Sequence, residues 1–158
     1  MVFGCGDPRA DLMFIGEGPG AQEDLQGLPF VGPAGELLTK IVAAIGFDRD
    51  QVYIANIVKC RPPGNRDPLP DEVAACRGYL ERQIDLIRPK VIVALGRVAA
   101  QTLLASELPL GRLRERWHSV RGVAVRVTYH PAALLRNAHW KRPTWDDMKV
   151  VRDRLSEL

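Results

Sequence analysis

The stretch Gly16-Glu17-Gly18-Pro19-Gly20-Ala21-Gln22-Glu23-Asp24 decides the fold, because it follows an apolar run over residues 11–15 that predicts a buried strand. Three glycines and a proline in five residues predict a sharp turn at the carboxyl end of that strand, with the backbone open to a ligand. Ligands of open α/β sheets bind at this end of the strands, so the turn is expected to line a site. Its carboxylates are Glu17, Glu23 and Asp24. An ordinary strand-to-helix connection is the alternative, and the glycine spacing does not match the dinucleotide fingerprint.

Composition limits the class of protein. The 158 residues are 46% hydrophobic and 26% charged, which is typical of a globular domain, and we expect one domain over residues 1–158. No apolar run approaches the roughly 20 residues that span a bilayer. The amino terminus lacks the pattern of a signal peptide, so a cytoplasmic location without membrane contact is expected. The net charge of +3 permits an anionic partner without requiring one.

Strand and helix patterns alternate along the rest of the chain. Further strands are predicted over residues 52–60 and 90–96, and a hairpin joins residues 117–120 to residues 123–128. Helices are predicted over residues 36–45, 71–88, 98–104 and 145–155, the last of them capped by Thr144. This order predicts an α/β fold, a three-layer α/β/α domain with a central, mainly parallel sheet of about four strands.

Polar or aromatic residues accompany the predicted strand ends. Phe30, held between glycines and prolines, either packs in the core or offers its face to a planar ligand. Asn56 interrupts an apolar strand, so its amide either ties down a loop or meets the edge of a pyrimidine. His130 follows the last strand. Arg61 and Arg66 are solvated charges or contacts to phosphates. Together these residue types are what an enzyme acting on an extruded base requires.

Four segments carry a resemblance to a known family. They are GEGPGAQED at residues 16–24, PFVGPAGELL at residues 29–38, YIANIVKCRPPGNRDPLPDEVAAC at residues 53–76 and YHPAALLRN at residues 129–137. In order and spacing they resemble the family 4 uracil-DNA glycosylases, the iron–sulfur type within the uracil-DNA glycosylase superfamily. The resemblance runs from about Phe3 to the carboxyl end.

This resemblance implies a DNA repair glycosylase that hydrolyses the N-glycosidic bond of a flipped-out deoxyuridine and leaves an abasic site. Uracil would stack on Phe30, Asn56 would pair with its O4 and N3–H, and His130 would stabilise negative charge near O2. The backbone of Gly16, Glu17 and Gly18 would contact the ring. Glu23 matches an acidic family position proposed to hold the attacking water, with Glu17 as the second candidate and helix capping as the alternative role of Glu23. Gly18 stands where family 1 relatives have an aspartate, and glycine cannot replace it.

The resemblance also implies contacts to uracil-containing DNA, double- or single-stranded, by a monomer associated with the nucleoid. Leu134 and Leu135 would form the wedge that enters the base stack, although we expect one of them to face the core. The backbone phosphates would be contacted by Arg136, Asn137 and Lys141.

The cysteines bear on the cofactor. Cys60 and Cys76 match two of the four ligands of the 4Fe–4S cluster of the family, whose other two form an upstream C-x-x-C pair, and Cys5 matches no ligand. Either the chain is truncated or this member lacks the cluster, and we expect no intact cluster in this chain.

Two other functions compete with excision. One is a non-catalytic module that binds uracil-containing or damaged DNA. The other is a nucleotide-binding enzyme that uses residues 16–20 as a phosphate loop, which the absence of a following lysine or hydroxyl residue disfavours. A related branch traps uracil-DNA covalently through a histidine in a basic loop. Residues 110–117 contain no such histidine, which predicts turnover.

Overall fold

The sheet at the centre of the protein is mainly parallel. A computed structural model describes residues 1–65 and 67–158, and within these residues six strands pair in the order β1-β3-β2-β4-β6-β5. The inner four, β3, β2, β4 and β6, are parallel, and the short edge strands β1 and β5 are antiparallel to their neighbours. The bounds are Cys5–Gly6 (β1), Leu12–Gly16 (β2), Tyr53–Asn56 (β3), Val91–Leu95 (β4), His118–Val120 (β5) and Val123–Thr128 (β6).

Helices cover both faces of this sheet, which makes the three layers that the sequence predicts. The bounds are Ala21–Gln26 (α1), Pro33–Ala44 (α2), Pro70–Ile87 (α3), Arg97–Leu104 (α4), Leu110–Leu113 (α5), Pro131–Arg136 (α6) and Lys141–Ser156 (α7). Short 3-10 helices occupy Arg49–Gln51, Pro63–Asn65 and Ala138–Trp140. No helix within residues 1–65 and 67–158 is long and apolar enough to cross a membrane.

Strand β2 shows why two layers of helices form. Side chains alternate between the faces of a strand, so Met13 and Ile15 join a core with residues of α3 and α4, while Leu12 and Phe14 join a second core with residues of α2 and α7. All five residues of β2 are buried. A central parallel strand covered on both faces reads as a continuous apolar run, as residues 12–16 do.

Two boundary predictions are corrected. The strand predicted over residues 52–60 ends at Asn56, because the following backbone turns to bond the glycine-rich turn: the N–H of Ile57 donates to Gly16 O at 2.9 Å and that of Val58 to Glu17 O at 3.0 Å. The last helix begins at Lys141, so Thr144 does not cap it. The Thr144 hydroxyl instead donates to Trp140 O at 2.8 Å, and Pro143 fits because it lies in the first turn.

A buried network around Asp147 joins α7 to Arg114, which follows α5, and to the end of β6. Arg114 donates to both carboxylate oxygens of Asp147, at 2.9 and 3.0 Å, and Thr128 Oγ1 donates to Asp147 Oδ2 at 2.7 Å. The two ionic side chains are 9% and 3% exposed. Because Thr128 is the last residue of β6, this network fixes the strand two residues before His130.

Candidate active site

The registers of the parallel strands bring the predicted site residues to one edge. Gly16 at the end of β2 lies beside Asn56 at the end of β3. Leu95 at the end of β4 lies beside Thr128 at the end of β6, and Gly96 N donates to Thr128 O at 2.8 Å. The turns that leave β2, β3 and β6 therefore face the same crevice, as the strand-end argument predicts.

A cavity of about 370 Å³ opens at this edge. Phe30, Asn56 and His130 line it together, so the structure brings a ring face, an amide and an imidazole into one space. The rest of its lining comes from both carboxylate candidates, the glycine-rich turn, the start of α2, the segment after β3 and the segment after β6: Glu17, Gly18, Pro19, Gly20, Glu23, Ala34, Pro62, Ala132 and Arg136.

Asn56 presents an unused acceptor to this cavity. The residue is 2% exposed, and no group in residues 1–65 and 67–158 donates a hydrogen bond to its Oδ1. A buried carbonyl oxygen without a donor costs about 1–3 kcal/mol, which a ligand N–H would recover. Asn56 therefore does not tie down a neighbouring loop through Oδ1, and the oxygen is free to accept from a ligand.

His130 is a neutral donor in this geometry. Its Nδ1 accepts from the N–H of Ala132 at 3.0 Å, which leaves the proton of a neutral ring on Nε2. The pKa of His130 is lowered to about 4, mainly by burial and to a smaller extent by the nearby Arg136, while Glu23 acts in the opposite direction. At neutral pH the ring therefore offers an N–H without a positive charge.

Phe30 is buried in the core and also borders the cavity, so its packing role is confirmed and its role in stacking on a planar ligand stays a prediction. Its ring lies 5.3 Å from that of His130, centroid to centroid, with 30° between the planes. Its φ of +51° is left-handed, which costs a residue with a bulky side chain of order 1–3 kcal/mol.

Gly16 makes room for the Phe30 ring and the Asn56 amide. A β-carbon at this position would lie 2.6 Å from Asn56 Oδ1 and 2.7 Å from the Phe30 ring. Any side chain here would displace one of these two groups, so glycine is required at the end of β2.

The two carboxylate candidates differ in their surroundings. Glu23 accepts from the backbone N–H of Gly20 at 3.0 Å, of Val31 at 2.9 Å and of Gly32 at 3.2 Å, so it caps α1 and also holds the next loop. Burial acts to raise the pKa of Glu23, but these backbone donors outweigh it and the pKa lies below its ordinary value. Burial raises the pKa of Glu17, and Asp67 adds to that effect.

The segment after His130 separates the two candidate wedge residues. Leu134 is 2% exposed and packs in the interior, whereas Leu135 is 53% exposed. The expectation that one leucine faces the core is confirmed, and Leu134 cannot reach a base stack from its buried position. Arg136 and Lys141 are exposed. Asn137 Oδ1 accepts from the N–H of His139 at 3.1 Å, and the predicted phosphate contact Arg66 lies outside the described residues.

The cysteines do not by themselves fit the cluster. Cys60 and Cys5 are exposed, and Cys76 is buried with its Sγ 3.3 Å from the backbone nitrogen of Lys59. No group of three or more His, Cys, Asp or Glu side chains in residues 1–65 and 67–158 is placed to share a metal ion. Iron–sulfur clusters normally take four thiolates, and two matching cysteines supply only half of that set.

Sequence reasoning missed two residues that support the site. Lys59 is fully buried, and its Nζ donates to Asn56 O at 3.0 Å and to Gln83 Oε1 at 2.5 Å. Arg49 reaches from its 3-10 helix to the loop that carries Phe30. A lysine within a β-branched run was a visible signal for Lys59. Arg49 lies in a charged turn, where nothing distinguishes it from a solvated residue.

Comparison with known proteins agrees with this geometry. Residues 3–149 match the profile described as the uracil DNA glycosylase superfamily. The chain belongs to the uracil DNA glycosylase superfamily.

The curated relatives include uracil-DNA glycosylases of type 4 and type 5. The chain is 46% identical to a type-4 uracil-DNA glycosylase of Sulfurisphaera tokodaii, over 96% of this chain and 73% of the relative. It is also 46% identical to a type-4 enzyme of Archaeoglobus fulgidus, over 95% and 79%. A type-5 uracil-DNA glycosylase of Thermus thermophilus is 35% identical over 99% and 76%. The resemblance to family 4 is thereby confirmed.

Proposed function

We propose that this protein excises uracil from DNA by hydrolysing the N-glycosidic bond of an extruded deoxyuridine. The observation that carries the proposal is Asn56 Oδ1, which has no donor among the residues that the structure describes and shares one cavity with the Phe30 ring and the His130 imidazole. An acceptor, an aromatic face and a neutral donor complement the N3–H, the plane and the O2 of uracil. The names of the type-4 relatives support the same substrate.

Recognition and bond cleavage use the same contacts. Uracil stacks on Phe30, and the Asn56 amide accepts from N3–H and donates to O4. As the bond between C1′ and N1 breaks, its electron pair leaves on uracil, and the His130 Nε2–H donates to O2. A well-placed donor of this kind contributes about 3–4 kcal/mol to the transition state. Water adds to C1′ and releases one proton to solvent, and the uracil anion takes up one proton, so the products are uracil and an abasic site.

A carboxylate orients the attacking water. We assign this role to Glu23, whose lowered pKa keeps it ionised at neutral pH. Its negative charge also stabilises the positive charge of the oxocarbenium-like sugar. Three backbone donors leave part of its acceptor capacity unused. Glu17 lines the same cavity and is the second candidate.

The proposed DNA contacts are assigned mainly to side chains that are exposed in the segment after His130. Leu135 is the wedge, and Arg136 and Lys141 meet phosphates of single- or double-stranded DNA. Asn137 adds a contact through its amide nitrogen, because its oxygen is occupied by His139. We propose that the protein acts as a monomer in the cytoplasm, associated with the nucleoid through DNA.

Excision as proposed uses the side chains of this chain, and no step is assigned to an iron–sulfur cluster. Cys60 and Cys76 are the residues that would bind one if further thiolates were supplied. Iron content and absorbance near 400 nm of the purified protein measure its presence directly.

The test is incubation with an oligonucleotide that contains one uracil, followed by alkaline cleavage of abasic sites. We expect a single cut at the uracil position and none in the matching thymine oligonucleotide. Binding of the uracil oligonucleotide without any cut would contradict excision and would favour the non-catalytic module.

A further inference from the structure

The loop of residues 29–35, here called the Phe30 loop, is held by opposite charges on two flanks. On one flank the Glu23 carboxylate accepts from the N–H groups of Val31 and Gly32. On the other, the Arg49 guanidinium donates to Pro29 O through one nitrogen and to Gly35 O, at 3.3 Å, through another. Hydrogen bonds to charged groups are roughly twice as strong as neutral ones, so the loop is fixed at its start, middle and end.

This loop needs external support because its backbone is strained. Phe30 adopts a φ of +51°, and a side chain at Gly35 would collide with the Phe30 carbonyl. Left-handed non-glycine residues persist only where the surroundings determine them. The carbonyls that Arg49 contacts belong to Pro29, directly before Phe30, and to Gly35, which the Phe30 carbonyl faces.

Arg49 suits this task by its shape. The guanidinium is a planar fork whose separate nitrogens reach both carbonyls, and one of them also donates to Thr39 Oγ1 of α2 at 3.2 Å. A lysine would keep the charge but cannot reproduce the fork. The residue lies between the quoted segments 29–38 and 53–76 and does not line the cavity of Phe30, Asn56 and His130.

We propose that Arg49 is a positioning residue for the uracil-stacking ring of Phe30. Its hydrogen bonds to the carbonyls of Pro29 and Gly35 hold the Phe30 backbone in its left-handed conformation. The proposal rests on the proposed function, because it assigns a purpose to the position of Phe30. Its effect is on the chemical step, since a displaced ring misaligns the extruded base relative to Asn56 and His130. The proposed phosphate contacts Arg136, Asn137 and Lys141 lie outside the Phe30 loop, so we expect them to be unchanged.

The kinetic test compares Arg49→Ala and Arg49→Lys with the wild type under single turnover at saturating DNA. Arg121→Ala is the matched control, because Arg121 makes a bidentate pair with Asp85 at 2.8 and 2.6 Å far from the site. Misplacement of a substrate by about 1 Å costs on the order of 10²-fold in rate, so we expect a loss of this size in Arg49→Ala. Arg49→Lys should lose less, and DNA affinity and the control rate should stay near wild type.

Chemical rescue distinguishes positioning from general stability. Another cavity, of about 320 Å³, is lined by Arg49 together with Phe30 and Gly35 of the Phe30 loop. Truncation of the Arg49 side chain therefore leaves room for a free guanidinium ion. Guanidinium well below denaturing concentration should restore the rate of Arg49→Ala, while sodium chloride at the same ionic strength should not. Absence of rescue in a folded Arg49→Ala protein would overturn the proposal.

A spectroscopic readout is independent of activity. The chain has four phenylalanines, and 4-fluorophenylalanine labelling with Phe30→Leu for assignment isolates the signal of the stacking ring. We expect one sharp fluorine resonance in the wild type and a shifted or broadened one in both Arg49 variants. An unchanged resonance would refute the positioning role even if the wild type excised no uracil. A wild type without excision but with the altered variant spectra would instead refute only the proposed function.

Discussion

Two neutral side chains act on uracil in the proposed mechanism: Asn56 recognises its edge, and His130 stabilises it as the leaving group. Each should therefore act mainly after the base has left the stack. We expect Asn56→Ala and His130→Ala each to lower the single-turnover excision rate by about 10²–10³-fold, the cost of one lost transition-state donor or its equivalent. DNA affinity, measured by fluorescence anisotropy, should change little, because the phosphate contacts remain. Equal losses in affinity and rate would show that the two residues are misassigned.

The lowered pKa of His130 gives a second prediction about a single residue. Because the folded pKa is lowered to about 4 from an ordinary value of 6.5, the native state disfavours the proton. The stability that comes from the neutral ring is complete above pH 6.5 and is lost as the pH falls from 6.5 towards 4. Imidazole resonances in nitrogen–proton NMR spectra should show Nε2–H alone at pH 6 and titrate only near pH 4. A midpoint near 6.5 would contradict the assignment of a neutral donor.

Helix α6 should separate a packing leucine from a DNA-contacting one. Leu134→Ala removes a buried side chain and should lower the free energy of unfolding by about 2–5 kcal/mol. Leu135→Ala should leave unfolding unchanged and slow excision from duplex DNA more than from single strands, because a single strand needs no wedge. Denaturant unfolding and paired substrates measure both effects. Equal slowing on the two substrates would argue against Leu135 as the wedge.

The buried Arg114–Asp147 ion pair of α7 makes a second prediction at the scale of elements. Asp147→Ala would leave the Arg114 charge buried and unpaired, so we expect a loss of about 3–5 kcal/mol in the free energy of unfolding. Asp153→Ala, on the same helix but 66% exposed, is the control and should change it by less than about 0.5 kcal/mol. Similar losses in both variants would mean that the Arg114–Asp147 pair does not anchor α7.

At the scale of the whole molecule, the parts of the fold that alternate regularly were predictable. The continuous apolar run of β2 and the helical period of α3 are strong signals, and the topology places Asn56 and His130 at one edge by general rules of parallel sheets. The two-residue strand β1 was missed, because two residues carry no period. The single-domain organisation over residues 1–158 stays a prediction.

The site itself was predictable in its functional groups but less so in its supports. Phe30, Asn56 and His130 stand out as polar or aromatic residues in unusual places, whereas Arg49 reveals its role only through carbonyls 14 and 20 positions away. The role of Glu23 likewise could not be decided from the sequence alone. Its sequence suggests either a cap or a water ligand, and only the fold shows that it also holds the loop of Phe30.

A crystal structure of the protein with free uracil tests the central claim most directly. The account predicts the base against the face of Phe30, with N3–H directed at Asn56 Oδ1 and O2 at hydrogen-bond distance from His130 Nε2. Uracil bound elsewhere, or bound in this cavity with Asn56 Oδ1 still without a donor, would contradict it.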